Sequence, residues 1–499
     1  MSTAQRIAAA LTVTNLVSTL LLLAGGVYLS RLLAAPRFGI TLVLVAMLTI
    51  VPLALVLIAK PRFGVVLLFI VSMTIIEVKR LAWHMEVGLV VEFLEGVLAV
   101  ALAALVIARR DLHRLSSPLT APVLLYVAYQ VVIAFHPNLP TTINIIYALR
   151  DPINFAVPFI AAVYLFRDRR QLSLFLYLWL GTAFVLALYG LFQYYVGLNN
   201  WETAWLSISP THVLYNRIRI FSTLGSADAL GMHMAVSIVI ALAVGFHTRR
   251  KLVRYGVMAM VPVFAVANLQ TLTRGAYVAV LVGVLTLALV TRNRALLLAL
   301  VVAAAGVVIW YQTNQGSLLA NRVITMFTPD QDESFEVRQN YIADYMPVIV
   351  ESPFGFGPAT SGRQGWVLLE WSGIDPKLAE SIAGVPTDNY YFRIALETGW
   401  VGLLLFLGLL LTVFLVGLRI FARSRDPLVK WMAAAFIASY AAMAVSSLSN
   451  NYFSHLDMKL FFWFSLGLLA NLPLIDAQSR QGNVVGEPVA TSRLRRVRW

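Results

Sequence analysis

Runs of about twenty apolar residues recur along almost the whole chain, and nothing else in the sequence constrains it as much. A helix rising 1.5 Å per residue needs about 20 apolar residues to cross a bilayer core. Such runs lie near 8–30, 39–59, 61–78, 88–108, 117–135, 152–166, 172–197, 228–247, 252–270, 275–291, 295–313, 390–418, 428–449 and 457–474. The chain therefore reads as an all-α polytopic membrane protein of about 14 (12–14) transmembrane helices. Lys60-Pro61 leaves a kink or a reversal open, and the short 152–166 run implies an earlier start or a tilted helix. Of the 499 residues, 60% are hydrophobic and 12% charged. A soluble fold of this size has too little interior to hide that much apolar surface. Soluble globular enzymes and disordered chains are excluded. With no cysteine, so are disulfide scaffolds, thiolate nucleophiles and zinc–sulfur sites.

The net charge of +14 is mostly topological. With the N-terminus inside, cations cluster on cytoplasmic connections: Lys60/Arg62, Arg109/Arg110/Arg114, Arg167/Arg169/Arg170, Arg249/Arg250/Lys251/Arg254, Arg292/Arg294 and Arg419/Arg423/Arg425/Lys430. The positive-inside bias then places both termini in the cytoplasm. Residues 1–474 form one transmembrane domain and 475–499 a disordered basic cytoplasmic tail. The first run lacks a small-x-small cleavage site and reads as a retained span rather than a signal peptide. Two outer connections are long, about 198–227 and, between the eleventh and twelfth spans, 314–389; loops of that length are usually functional. Within the second, Ser334–Val350 has helical spacing (Phe335, Val337, Tyr341, Tyr345, Val348), the Pro-Phe-Gly-Phe-Gly-Pro run 353–358 breaks it, and 365–371 reads as a short interfacial helix.

On the outer face a few arginines gather where loops meet spans: Arg150, Arg217, Arg219 and Arg274, with Arg338 and Arg363 in the long loop. A guanidinium fork matches phosphate and pyrophosphate. Any single one of these arginines is explained by snorkelling to lipid headgroups or by a carboxylate partner. A set on the face that positive-inside pressure disfavours is harder to explain that way.

Four motifs in order carry a family resemblance over about 215–405. Leu272-Thr-Arg274-Gly275-Ala276-Tyr277 resembles the Ser-Arg-Gly-Ala signature of the bacterial O-antigen polymerase/ligase family (Wzy/WaaL-type). Arg217-Ile-Arg219-Ile-Phe-Ser-Thr-Leu-Gly225, with Gly231 further on, is similar to its arginine-to-glycine approach to a span. Arg338 followed by Pro353-Phe-Gly355-Phe-Gly357, and Thr387-Asp388-Asn389-Tyr390 through Glu397-Thr-Gly399-Trp-Val-Gly402, resemble its long-loop and following-span patterns. The resemblance implies a GT-C-like membrane glycosyltransferase at the periplasmic face of the bacterial inner membrane. Its donor would be an undecaprenyl-diphosphate-linked glycan and its acceptor a lipid-linked repeat unit or the lipid A core, with no metal or other cofactor. Other polysaccharide-assembly proteins are possible partners; nucleic acid is not expected. Family ligases usually carry His-Asn where this chain has Asp388-Asn389, which leans toward an O-antigen or exopolysaccharide polymerase.

The chemistry of the residues agrees with that implication. A sugar diphosphate has a good leaving group, so the reaction needs cations for the departing pyrophosphate and a base for the acceptor hydroxyl. Arg150, Arg217, Arg219, Arg274 and Arg338 are candidates for the first role and Asp388 for the second, provided that burial raises its pKa above the usual value of about 3.9, with attack inverting the anomeric carbon. Asp388 has a second reading as a helix cap, and Asn389 reads as a cap or positioning residue. Arg363, Glu92 and Glu95 are supporting candidates. The two glutamates, three apart on one face of a span, read as a structural pair with a partner such as Arg150 rather than as a proton path. Glu397 and Gly399 read as packing residues, His233 and His455 as satisfied polar positions rather than metal ligands, and His212 as a possible glycan contact. Trp201, Trp205, Trp366, Trp371 and Trp400 read mostly as interfacial belt residues. A lipid-linked oligosaccharide flippase is the distant alternative, but it calls for internal symmetry and midplane polar groups, whereas the polar residues here gather at one face.

Overall fold

The computed structural model describes residues 52–81, 89–139, 142–207, 209–214, 217–314, 333–362 and 388–482. Its helices are α1 (Pro61–Leu81), α2 (Leu89–Arg109), α3 (Thr120–Ile133), α4 (Thr142–Leu165), α5 (Arg169–Tyr195), α6 (Asn200–Ser207), α7 (Ala227–His247) and α8 (Lys251–Gln270). They continue with α9 (Arg274–Thr291), α10 (Arg294–Thr313), α11 (Glu333–Glu351), α12 (Tyr390–Arg423), α13 (Pro427–Ser446) and α14 (Leu456–Gly482). One two-residue antiparallel ladder, β1 (Val213–Leu214) with β2 (Arg217–Ile218), interrupts the all-α pattern. Among the described residues eleven helices are long and apolar enough to cross a membrane. The predicted run 8–30 and most of 39–59 lie outside the described residues, as do 365–371, Arg363, Trp366 and Trp371.

Lys60-Pro61 is a reversal. Residues 52–59 are helical, and a Cβ on Gly64 would lie 3.9 Å from Leu57 Cβ, whereas seven residues of continuous helix would separate them by about 10 Å. The run 152–166 proves to be the end of α4, which starts at Thr142, so Arg150 sits inside a helix and not at a loop–span junction. α3 has 14 residues, about 21 Å, which is short of a full crossing. α14 runs on to Gly482, so the tail expected from 475 begins with helix, and 483–499 lies outside the described residues.

α7, α13 and α14 form the buried centre; α10 lies at the rim and is exposed on nearly every face. Lipid is as apolar as leucine, so helices in it associate through close packing and hydrogen bonds rather than through a hydrophobic drive. The crossings here show both. A Cβ on Gly467 of α14 would lie 2.5 Å from the Phe159 carbonyl oxygen of α4, and one on Gly283 of α9 would lie 2.7 Å from Val239 of α7. The Asn471 amide donates to the Ala162 and Phe166 carbonyls. Around Trp179 the core is aromatic: Phe461 packs at 4.5 Å and the His233 ring stacks at 4.3 Å.

The face onto which the 196–226 and 314–389 connections open, termed the loop face, is organised by a break in α12. Gly399 has φ +73 and ψ 176 inside the helix. The break frees the Leu396 and Glu397 carbonyls, and these accept from Phe356 N and Gly357 N, both at 2.9 Å. Val401 N in turn donates to the Pro353 carbonyl. Residues 353–357 are thus fastened across the gap by main-chain bonds, as backbone groups buried at membrane depth require. Gly355 (φ +68) meets Gly399 so closely that neither has room for a side chain. α11 confirms the predicted helix over 334–350. It packs Ile342, Tyr345 and Ile349 on Phe392 and Leu396, while Val348 faces outward.

Gly399→Ala places a methyl 2.0 Å from the Pro353 oxygen in left-handed backbone, where a side chain alone costs about 1–2 kcal/mol. The expected result is a lower melting temperature in detergent and faster proteolysis within 353–361. Gly408→Ala, at an open helical position, should leave the melting temperature equal or raise it, since alanine exceeds glycine by roughly 0.5–1 kcal/mol in a helix.

Candidate functional site

The Arg-x-Arg and Arg-Gly motifs meet at the loop face through Arg219. Its Nε donates to the Thr271 carbonyl at 3.0 Å, Nη1 to the Thr211 carbonyl at 3.2 Å and Nη2 to Thr273 Oγ1 at 2.7 Å. The fork therefore clamps the corner 271–273 that starts α9. Leu272 turns this corner in left-handed backbone (φ 52). Thr273 occupies the N-cap position of α9, yet its hydroxyl makes no cap bond, because it accepts from Arg219. Arg274 follows at the first helical position, where the helix dipole favours anions. Gly275 is glycine for lack of space: a Cβ would lie 2.5 Å from Asn450 Nδ2 and 2.6 Å from the Tyr452 hydroxyl. Gly231 has a parallel reason, with Ala276 Cβ 2.5 Å away, and its carbonyl accepts from Asn268. Arg217 is exposed on β2.

The 196–226 connection that carries Arg219 is held from below. Buried Glu202 accepts from Tyr189, Gln193 and Asn199 N, and Gln193 Oε1 takes Ser222 N at 2.7 Å. Arg80 at the end of α1 donates to the Ser222 and Leu224 carbonyls and lies between the rings of Trp205 (4.2 Å) and Phe221 (4.3 Å). Trp205 thus works inside the protein rather than as a belt residue. His212 packs against the same two rings, and burial lowers its pKa to about 4, so its imidazole is neutral.

Two histidine–aspartate pairs tie α7 to the start of α14. His455 Nε2 meets Asp228 at 2.9 Å, and His233 Nδ1 meets Asp457 at 2.8 Å. His455 is a satisfied polar position, as the sequence suggests; His233 is bonded at Nδ1 alone, and its buried Nε2 has no hydrogen-bond partner among the described residues. Asp228 is also the main charge supporting buried Arg219.

Asn389, not Asp388, caps α12: it accepts from Tyr391 N at 3.0 Å and Phe392 N at 3.1 Å. Asp388 is exposed one residue earlier, so the burial expected of it as a base is not found. Tyr390 N donates to the Ser447 carbonyl, so the start of α12 and the start of α9 abut the same turn, 446–452. Arg338 lies on α11.

Arg150 lines a neighbouring cavity, and the paired glutamates stand behind it. Arg150 is ion-paired with Glu92, and the Asn154 amide donates to buried Glu95; these are the structural partners expected of them. Asp151 is paired with Lys459. Arg393 donates to Glu397 at 3.1 Å and to Ser454 at 3.1 Å, and Ser361 donates to Glu397 at 2.5 Å. Glu397 is thus more than a packing residue. Sequence reading passed over Arg80, Asp151, Asp228, Arg393 and Lys459. Only Arg393 and Glu397 left a signal, an i,i+4 opposite-charge pair inside an apolar run. Among the described residues no group of three His, Asp or Glu side chains is placed to hold a metal ion.

Residues 263–407 match the family model described as O-antigen ligase. The stretch contains Arg274-Gly275, Arg338, the 353–357 segment, Asp388-Asn389 and the Gly399 break, and the likeness to that family covers this stretch, less than a third of the chain. No curated protein matches the chain.

The Asp228 pair predicts a pH effect on stability. Burial disfavours the charged His455 imidazole, but contact with Asp228 outweighs it and, with Asp457, raises the pKa against the opposing charge of Lys459. A raised histidine contributes fully below its unfolded value of about 6.5 and loses that contribution as pH rises through the folded value. The gap in melting temperature between wild type and His455→Gln should therefore be widest near pH 6 and shrink toward pH 9; a gap independent of pH would contradict the pairing.

Proposed function

We propose that the protein is a glycosyltransferase that moves an undecaprenyl-diphosphate-linked oligosaccharide onto a sugar hydroxyl at the periplasmic face. The observation that carries this reading is the Arg219 fork, which sets Arg274 at the start of α9 against the turn that also receives Tyr390, the residue after Asp388-Asn389. Two arginines and a helix N-terminus converge there, which suits a pyrophosphate. Arg217 on the adjoining ladder and Arg338 on α11 complete the proposed cradle. Arg150, held by Glu92, lies in the adjoining cavity.

In the proposed reaction the acceptor oxygen bonds to the anomeric carbon while the carbon–oxygen bond to the diphosphate breaks. The lipid diphosphate leaves with the bonding electrons, neutralised by the arginines. The acceptor proton passes to the Asp388 carboxylate. With Asn389 filling the cap, Asp388 is not needed for that duty, which supports its reading as base. Attack opposite the leaving group inverts the sugar, and no metal takes part. An acidic residue in place of the family's histidine favours a polymerase of O-antigen or exopolysaccharide, with another lipid-linked repeat unit as acceptor. The family description itself favours the alternative, an O-antigen ligase acting on the lipid A core.

Transfer in reconstituted membranes tests this. Arg274→Ala should lose about 10²–10³ in kcat, the usual cost of one donor to a developing anion, and Asp388→Asn about 10²–10⁴, the range of general-base contributions. Arg219→Lys should also lose activity, because an ammonium cannot span three acceptors. Multimers formed from donor alone mark a polymerase; product that requires lipid A core marks a ligase. Undiminished kcat in Arg274→Ala and Asp388→Asn would remove both residues from the mechanism.

A further inference from the structure

Beside the arginine corner, two adjoining cavities open under the 353–361 segment and share Asp151, Pro358, Ser454 and Lys459. The larger has a volume of about 170 Å³. A single water needs about 10–15 Å³, and drug-sized ligands occupy roughly 300 Å³ or more, so the space suits one ring-sized ligand. It is reachable from the loop face, since the side chains of Arg150 and Asp151 are 40% and 39% exposed.

The charges decide which ligand. Every cation lining this space is matched by an anion: Arg150 by Glu92, Lys459 by Asp151 and Arg393 by Glu397. A phosphate placed in the larger cavity would face the Asp151 carboxylate and would have to displace Asp151 from Lys459 or Glu92 from Arg150. A polyol would not be repelled, because each hydroxyl both donates and accepts, so it can bridge a carboxylate and its cationic partner. The smaller cavity, about 20 Å³ and lined by Tyr126, Phe155 and Tyr390, has room for about one water; in the larger one Tyr147, Pro358 and Leu456 offer apolar surface for the C–H face of a ring. The roof is stiff. It is fastened by the main-chain bonds across the α12 break and by Ser361 on Glu397, and Ala359, which lines the larger cavity, is held in left-handed backbone (φ 61). Strained backbone of this kind tends to sit at ligand clamps.

We infer that the larger cavity is a subsite for one neutral pyranose residue of the glycan, gripped by the Asp151–Lys459 pair and by Arg150 with its partner Glu92. The inference rests on the proposed handling of lipid-linked glycans and adds the place where a sugar ring is read. The ring belongs either to the donor oligosaccharide or to the acceptor, and the two sources separate kinetically.

The test uses the full chain in nanodiscs, with lipid-diphosphate oligosaccharide extracted from the native host as donor and the water-soluble oligosaccharide released from it by acid as NMR probe. Asp151→Asn combined with Lys459→Gln keeps shape and hydrogen bonding while removing both charges. Charge-assisted hydrogen bonds contribute about 1.5–3 kcal/mol, so KM should rise about tenfold or more at nearly constant kcat. A rise confined to the donor assigns the donor ring; one confined to the acceptor assigns the acceptor. Saturation transfer from protein to the soluble oligosaccharide should appear in wild type and vanish in the variant. If the double variant does not fold, Ala359→Asn, which tolerates left-handed backbone and fills the cavity, takes its place with the same expectation. Unchanged KM and unchanged saturation transfer in a folded variant overturn the subsite while leaving the transferase reading intact. Saturation transfer without any glycosyl transfer keeps the subsite and overturns the transferase reading.

Discussion

In hydrocarbon no water is available to satisfy a stray donor, acceptor or charge, so every polar group that a spanning helix carries must find its partner within the protein. The loop face is built on that constraint. Glu92 meets Arg150, Asp151 meets Lys459, Asp228 meets His455, Asp457 meets His233 and Glu397 meets Arg393. Each pair except the last joins two different helices. Together they tie α2 to α4, α4 to α14, and α14 to α7, the last of which supports Arg219 through Asp228. Two of the helices that lie deepest, α7 and α14, are thus cross-linked at one end by charge. The rest of their length relies on small residues such as Gly283 and Gly467 that let backbones approach.

The same need explains the break in α12. An interrupted helix exposes carbonyls that cannot be left bare, and residues 353–357 answer it with three main-chain bonds. A segment that would otherwise be a loop becomes a fixed roof over charged side chains. Gly355 and Gly399 belong to motifs 44 residues apart in sequence, yet each is required by the other segment's backbone: a Cβ on Gly355 would meet Gly399 N, and one on Gly399 the Pro353 carbonyl. The Pro-x-x-Gly-x-Gly pattern and the Gly399 pattern are therefore two halves of one joint.

Helix positions were legible in the sequence wherever apolar length was unbroken, as in α7, α9 and α13. The exception was α4. Asn144, Arg150 and Asp151 interrupt its apolar run, and a reader of the sequence places the helix start after them. The helix continues through these residues because Glu92 and Lys459 wait on neighbouring helices. The Arg219 and Arg274 motifs were legible as motifs, but that one clamps the corner from which the other projects was not. The readings of Asp388 and Asn389 as caps differ by one residue, a distinction that depends on which side chain reaches the second and third amides.

By itself the sequence determined that this chain belongs in a bilayer, roughly where its helices run and which residues resemble a glycan-transferring family, because apolar length, charge bias and short motifs are local properties. Tertiary structure decided the pairing. Partners lie 58 residues apart for Glu92 and Arg150, 227 for Asp228 and His455, and 308 for Asp151 and Lys459. No periodicity spans such distances. Only the packing of helices end against end brings those charges into contact, and it leaves a matched, ring-sized space between them beside the arginine corner.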